Sequence, residues 1–288
     1  MLTVPREFKT SSRLFEKTAN DQEQQRAVRV SKRKFGRVFS TKTAAAGYLF
    51  QIILPPSMKW GYISVGKSAS SSTLNYLFQA EYGCDMTAKI KPEHDINPAA
   101  ALHMLVEYGI FSRALWQGMS AQDILSPKGP KERICVVRDP LARAVSGFHY
   151  LCQSHRRQSV WFARDRFRMN AVLGFDWDRH CDTAEGFERF LRYVAWQIET
   201  EGVDRVDGHW RPQKAFIKPT VFRPTITGRM EDMAGYFKLL SDRLDTPPPA
   251  SLPWENKQDT GTVDLRAHKP SQALVRQIYA EDYEAFGY

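Results

Sequence analysis

The 288-residue chain holds only four cysteines, Cys84, Cys135, Cys152 and Cys181, with no Cys-x-x-Cys pair among them. No Cys or His pair has the spacing of zinc ligands, so no structural metal is expected. Scattered thiols fit a reducing compartment, and Cys135, inside an apolar run, reads as a small core residue. No apolar stretch approaches the roughly 20 residues that a membrane-spanning helix needs. The nearest, Ala44 to Leu54, is stopped by Pro55 and Pro56 and lies too far from Met1 to be the core of a secretory signal. A soluble, unexported, cytoplasmic protein is the expectation. Internal repeats are absent as well.

What is present is an ordinary globular composition, 42% apolar and 25% charged, with a net charge of +9. The charge is uneven: residues 1–43 carry eleven Lys or Arg against four Asp or Glu. They read as a basic, partly disordered N-terminal arm that could touch a polyanion or a membrane surface; nucleic acid is not expected as a partner, and a nucleic-acid-binding protein acting through the arm is an alternative reading. Glu7, Glu16, Asp21 and Glu23 speak against an organellar transit peptide, which lacks acids. Residues 44–288 are expected to form one domain.

Within that domain strand-like and helix-like stretches alternate. Trp60 to Val65 is aromatic and β-branched, and Leu74, Leu77 and Phe78 then repeat at helical spacing up to Gly83. Residues 84–98 read as loop, and Leu102, Leu105 and Val106 mark a helix face over 99–108. Ile134 to Val137 is a continuous apolar run, as in a strand buried on both faces, and Pro140 opens a helix expected to run to about Cys152. Residues 155–182 show no clear period and read as an irregular insertion. Amphipathic helices are expected around Phe187–Ile198 and Met230–Leu244, then a polar loop over 250–270 with Lys257, Arg266 and Lys269, and a last helix bearing Leu274, Val275, Ile278 and Tyr279. The alternation predicts an α/β fold, a three-layer sandwich of the P-loop NTPase kind with a central parallel sheet flanked by helices.

Two strand-to-helix switches carry chemistry. At 66–73 stands Gly-Lys-Ser-Ala-Ser-Ser-Ser-Thr, and at 136–146 Val-Val-Arg-Asp-Pro-Leu-Ala-Arg-Ala-Val-Ser. Each offers amides, hydroxyls and a cation where open α/β sheets bind phosphorylated ligands. Residues 61–68 (GYISVGKS) also satisfy the P-loop expression of an NTPase or kinase. That reading requires Tyr62 to Val65 to arch over phosphates, although these residues prefer an extended strand. With the strand over 61–65 and the turn at 66–69, Lys67 projects among Ser68, Ser70, Ser71 and Ser72 at a helix N-terminus instead.

These segments resemble the 3′-phosphoadenylyl-sulfate-dependent carbohydrate sulfotransferases, the Golgi-type or family 2 enzymes. GKSASSST is similar to that family's 5′-phosphosulfate loop in Lys67, Ala69, Ser70 and Ser72, with Gly66 in place of the usual Pro and Ser71 in place of Thr. ICVVRDPLARAVSGFHYL resembles the 3′-phosphate segment, with Arg138 and Ser146 eight positions apart. DGHWRPQ at 207–213, ITGRMEDM at 226–233 and the terminal IYAEDYEAFGY resemble further family elements in the expected order. The chain departs from the animal members in having no N-terminal membrane helix in this sequence and no Cys between Ala215 and Thr220. It looks like a soluble, bacterial-type relative.

The resemblance implies sulfuryl transfer from 3′-phosphoadenylyl sulfate to a hydroxyl of a glycan or glycolipid, without a metal. Gly66, Lys67, Ser68, Ala69, Ser70, Ser71, Ser72, Arg138 and Ser146 would hold the donor, with Lys67 also stabilising the leaving phosphate. The family places its base between the two segments, which leaves His94, in the loop Lys91-Pro-Glu-His-Asp, and His103, inside a helix pattern; His94 is the favoured one. His209, Trp210 and Arg143 are candidate substrate contacts. Basic and aromatic residues at 155–168 could line the acceptor cleft.

Overall fold

The computed structural model describes residues 14–15, 17–88, 90, 96, 100–248 and 264–288. In chain order the elements are α1 (Asp21–Lys34), α2 (Lys42–Gln51), β1 (Ile52–Leu54), β2 (Trp60–Ile63), α3 (Ser70–Tyr82), α4 (Ala100–His103), β3 (Ser112–Arg113), α5 (Ala121–Ile124) and β4 (Glu132–Val137). They continue with α6 (Pro140–Arg156), α7 (Ala163–Leu173), α8 (Trp177–His180), α9 (Ala184–Glu201), α10 (Gln213–Ile217), α11 (Pro219–Phe222), β5 (Ile226–Arg229), α12 (Met233–Leu244), α13 (Lys269–Ile278) and α14 (Ala280–Phe286).

The strands form one mixed sheet in the order β3-β1-β2-β4-β5. The expected parallel arrangement holds for β2, β4 and β5, whereas β1 runs antiparallel to both β2 and β3. Ile63 pairs with Cys135, and Cys135 with Thr227, so the three parallel strands end at one edge of the sheet. That edge is where α/β sheets receive ligands. Both faces are covered. Cys135 and Val137 point into a cluster with Tyr48, Leu49, Ile217 and Phe222 from α2, α10 and α11. Ile134 and Val136 point into another with Leu74, Leu77, Phe237 and Leu240 from α3 and α12. The period-2 alternation of a continuous apolar run thus feeds two helical layers. A third cluster, with Phe148, Leu151, Phe190, Trp210 and Tyr279, joins α6, α9, α13 and the 206–210 turn beside the sheet.

Three expectations are corrected. Residues 21–34, within the stretch expected to be a basic, partly disordered arm, form a helix held by an Asn20/Glu23 capping box. It buries Ala27, Val28 and Ser31, and the Ser31 hydroxyl accepts from the Ala121 amide at 2.8 Å. Its last turn collects Lys32, Arg33 and Lys34, where positive charge meets the negative end of the helix dipole. The apolar run at 44–54 divides between α2 and β1. Residues 155–182 are not irregular, since they contain α7 and α8, and α6 runs on to Arg156. The helix expected over 99–108 is short, ending at His103 before turns that lead to Gly109. Among the described residues no helix is long and apolar enough to cross a membrane.

On β5, Gly228 lies flat under Tyr236 of α12: a Cβ there would come within 2.3 Å of the Tyr236 ring. The ring is buried and has no room to withdraw. Gly228→Ala is therefore expected to destabilise the fold by roughly 1–3 kcal/mol, as other overpacked cores do. A urea titration should show a lower midpoint with unchanged slope; an unchanged midpoint would contradict the packing described.

Candidate active site

The loop after β2 is built as a cradle. Ser68 N–H closes a turn onto the Val65 carbonyl at 3.3 Å, and the chain then enters α3. Lys67 (φ 66°) and Ala69 (φ 54°) both adopt the left-handed conformation, which costs a non-glycine residue on the order of 1–2 kcal/mol. Ala69 occupies the N-cap position of α3 and supplies no side-chain oxygen to the first turn. Alternating left-handed residues leading into an N-terminus without a side-chain cap make an anion-binding concavity. Ser70, Ser71 and Ser72 form that first turn. Because β2 spans 60–63, Gly61, Tyr62 and Ile63 are strand residues and do not wrap a phosphate. The P-loop reading of GYISVGKS fails on that point.

What holds the strained loop in place comes from the second segment. Asp139 caps α6 through the Ala142 amide at 2.7 Å, with Pro140 in the first turn. Arg138 Nη1 donates to the Lys67 carbonyl at 3.2 Å, and Arg143 Nε donates to the Gly66 carbonyl at 2.9 Å. A trans peptide sends C=O and the following N–H in opposite directions, so the Lys67 N–H points away from α6. Arg143 spends its other two nitrogens on the carbonyls of Arg211 and Gly208, both at 2.8 Å. At 1% exposure it has no face left for a substrate. The expected substrate contact is thus corrected: Arg143 is the internal brace between the loop after β2 and the 208–211 turn.

Three cations gather without an internal counter-charge for Lys67. Burial, then the neighbouring Arg138 and Arg143 guanidinium groups, push the Lys67 amine down to about 7. Its Nζ sits 3.9 Å from the centre of the Tyr150 ring, a cation–π contact, and no carboxylate among the described residues pairs with it. Arg138 is likewise lowered, by burial first and then by Arg266, which brings a further cation to this edge. A partly buried cationic cluster of this kind favours a bound anion. Ser146 lies on α6 between Arg143 and Tyr150, on the helix stripe that faces the loop (positions 139, 143, 146 and 150), and is half-buried. No hydrogen bond joins it to Arg138.

The 207–213 element supplies the rest. His209 Nδ1 lies 2.7 Å from Asp207 Oδ1, its ring stacks on Tyr150 at 5.3 Å between centres, and Phe162 meets it edge-on at 5.0 Å. Trp210, expected on substrate, is fully buried, donates to Gln197 at 3.4 Å and belongs to the third core cluster. This too is a correction: an indole packed against Phe190 and Phe162 anchors the turn and reaches no ligand. His94 lies outside the described residues, as does the side chain of His103.

Sequence reasoning passed over two residues that organise the site. Gln213 accepts the Arg138 N–H at 2.9 Å and donates to the Arg138 carbonyl at 2.8 Å, and its oxygen also lies 3.4 Å from the Ser68 hydroxyl. One buried amide therefore ties the loops after β2 and β4 together. Asp282, from the C-terminal motif, accepts the amides of Gln213 and Lys214 at 2.8 and 2.7 Å. Each stood inside a recognised motif, yet nothing local distinguishes a bridging Gln from a surface one.

Gln213→Ala would leave the Arg138 amide and carbonyl unpaired in a buried place, at a cost of about 1–3 kcal/mol. The expected result is an unfolding free energy lower by that amount in a urea titration; stability equal to the wild type would mean that the bridge is dispensable.

Neither a curated protein nor a solved structure matches the chain. A family model does: the one described as the sulfotransferase family matches residues 51–288, from the start of the sheet to the last residue. The match covers the loops after β2 and β4, the 207–213 turn and the C-terminal helix that supports it. The chain belongs to the sulfotransferase family.

Proposed function

We propose that this enzyme transfers a sulfuryl group from 3′-phosphoadenylyl sulfate to a hydroxyl of a carbohydrate or glycolipid. The observation that carries the reading is the cationic cluster of Lys67, Arg138 and Arg143 at the shared edge of β2 and β4, with Lys67 lacking a carboxylate partner. The residues present suit a nucleotide with anionic groups at both ends: one cradle at 66–72 and a second cation pair, Arg138 and Arg266, beside it.

Sulfuryl transfer, like phosphoryl transfer, passes through a loose in-line transition state, so the protein contributes mainly position and charge. Lys67 stabilises the negative charge that the departing 5′-phosphate gains, assisted by the loop amides and the α3 N-terminus. A cation there is worth more in the transition state than in the ground state. Arg138 offers a planar fork for the 3′-phosphate, and Ser146 adds a hydroxyl from the same face of α6. Gly66 and Ser68 shape the turn, and Ala69 with Ser70, Ser71 and Ser72 presents the helix end.

Support for the acceptor class comes from the surface next to this edge. Val160, Trp161 and Phe167 are 68%, 52% and 76% exposed, with Arg164 exposed among them. Phe162, in the same stretch, touches the ring of His209. Aromatic faces suit sugar rings, and an apolar margin suits a lipid-linked sugar.

Calorimetry with adenosine 3′,5′-bisphosphate and 5′-AMP tests this reading. The bisphosphate should bind more tightly by at least tenfold, and Arg138→Ala should remove most of that difference; equal affinities would reject the 3′-phosphate site. Lys67→Ala should lower turnover roughly 10²–10³-fold, as loss of an oxyanion donor does. Proton linkage gives a further test. An amine near 7 is mostly neutral at about pH 8, and a bound phosphate raises it, so binding at that pH should take up protons. Repeating the titration in buffers of different ionisation enthalpy measures that uptake. Lys67→Met should abolish it; uptake that persists in the variant would place the titrating group elsewhere.

A further inference from the structure

We propose that His209 is the general base that takes the proton from the acceptor hydroxyl, with Asp207 as its positioning residue. The assignment rests on the sulfuryl-transfer reading above and departs from the position between the two segments that the family resemblance implies for the base.

Five histidines have described side chains: His149, His155, His180, His209 and His268. His149 and His155 pair with Asp182 and Asp178, at 2.5 and 3.5 Å, in the α6–α8 region. His180 Nδ1 accepts the Asp176 amide, and His268 lies 2.9 Å from the Ser271 hydroxyl. None of them touches the loop bearing Lys67. His209 does. A Cβ placed on Gly66 would stand 3.0 Å from its Cα and 3.2 Å from its ring carbon Cδ2, so the imidazole lies directly against the cradle. On the other side, a Cβ on Gly147 of α6 would stand 3.3 Å from the His209 carbonyl. Two glycines thus let the His209 backbone pass between the phosphate loop and α6, a closeness with no evident use if the ring only filled space.

The ring is prepared as a base. Asp207 accepts the His209 backbone N–H at 2.9 Å with the same oxygen that lies 2.7 Å from Nδ1. Burial raises the Asp207 carboxyl, but the His209 ring and its hydrogen bonds more than offset this and hold it below the ordinary range. A carboxylate at Nδ1 keeps the proton on that nitrogen and leaves the Nε2 lone pair outward, the tautomer that proton abstraction requires. Nε2 makes no hydrogen bond to a described residue, and the side chain is 35% exposed, enough to meet a substrate. Lys67 Nζ and the His209 ring share Tyr150 as a common neighbour, so leaving-group cation and base lie within the two ring separations of each other. The charged groups around the imidazole are Asp207 beside it, Lys67 beyond Tyr150, and Arg143 and Arg211, which hold the carbonyls of its own turn.

In the step proposed, the acceptor oxygen forms a bond to sulfur while its proton passes to His209 Nε2. The bond between sulfur and the 5′-phosphate oxygen breaks, and its electron pair leaves with the phosphate, where Lys67 meets the charge. The products are a sulfate ester and adenosine 3′,5′-bisphosphate, and the imidazolium returns its proton to solvent.

The test compares full-length wild type, His209→Ala, His209→Asn, Asp207→Asn and His94→Ala. Each is assayed with ³⁵S-labelled 3′-phosphoadenylyl sulfate, with water and simple methyl glycosides as acceptors, and each is titrated with adenosine 3′,5′-bisphosphate. His209→Ala and His209→Asn should lower kcat by roughly 10²–10⁴, the usual range for a lost base, and remove the acid limb of the kcat–pH profile. Bisphosphate affinity should stay within about threefold. The Asn variant keeps a donor for Asp207, so its loss of turnover is not a loss of the turn. Asp207→Asn should lower kcat by at least about tenfold and alter the pH profile, since the amide no longer fixes the tautomer. Turnover within threefold of wild type in His209→Asn, or an acid limb that survives there and vanishes in His94→Ala, would overturn the assignment. A wild type that neither binds the bisphosphate nor consumes the donor would defeat the sulfuryl-transfer reading instead.

Discussion

The buried guanidinium of Arg143 fixes the loop after β2 against the turn that carries His209. A charged group taken from water must have its donors satisfied, or it unfolds its surroundings. Arg143 meets that demand with three backbone carbonyls, one from the phosphate loop and two from the 208–211 turn. The demand works in both directions. With the Gly66 carbonyl turned toward α6, the Lys67 amide points away from that helix, and Lys67 itself stands in a left-handed conformation. Strain in the loop is thus maintained by an interaction that the helix cannot give up.

Around that brace the distant parts of the chain divide the work. The sheet brings the ends of β2 and β4 side by side, so that two short loops far apart in sequence form one edge. Gln213 locks them together, and Asp282 locks Gln213. Tyr279 adds a hydrogen bond from its hydroxyl to the Trp210 carbonyl at 2.8 Å, which fixes the turn carrying His209. The C-terminal helices therefore act as a second layer behind the site. Such backing allows a site built on loops to keep a fixed geometry.

Much of this was legible in the sequence, for identifiable reasons. The strand at Trp60, the helix ending at Gly83 and the strand–Pro–helix switch at Ile134 to Pro140 are written in local signals: β-branched runs, a left-handed glycine at a helix end and a proline in a first turn. The family elements lay in those same stretches. What escaped notice depended on distance or on weak patterning. In α1 only Ala27, Val28 and Ser31 are buried, a stripe too thin to stand out among basic residues, although the Asn20/Glu23 capping box was there to be seen. In α7 the arginines hide the period. Strands β1 and β3, of three and two residues, carry no periodicity at all. Arg143 and Trp210 were assigned to substrate because sequence names a side chain without saying whether it turns inward. Gln213 meets Arg138 across 75 positions, and only the fold reveals that contact.

In the proposed reading the two anion cradles hold opposite ends of a single nucleotide. A crystal structure of the enzyme soaked with adenosine 3′,5′-bisphosphate measures this directly. The 5′-phosphate is expected within hydrogen-bonding distance of Lys67 and the amides of 70–72, and the 3′-phosphate against Arg138. A bisphosphate lying wholly in one cradle, or bound away from the shared end of β2 and β4, would contradict it.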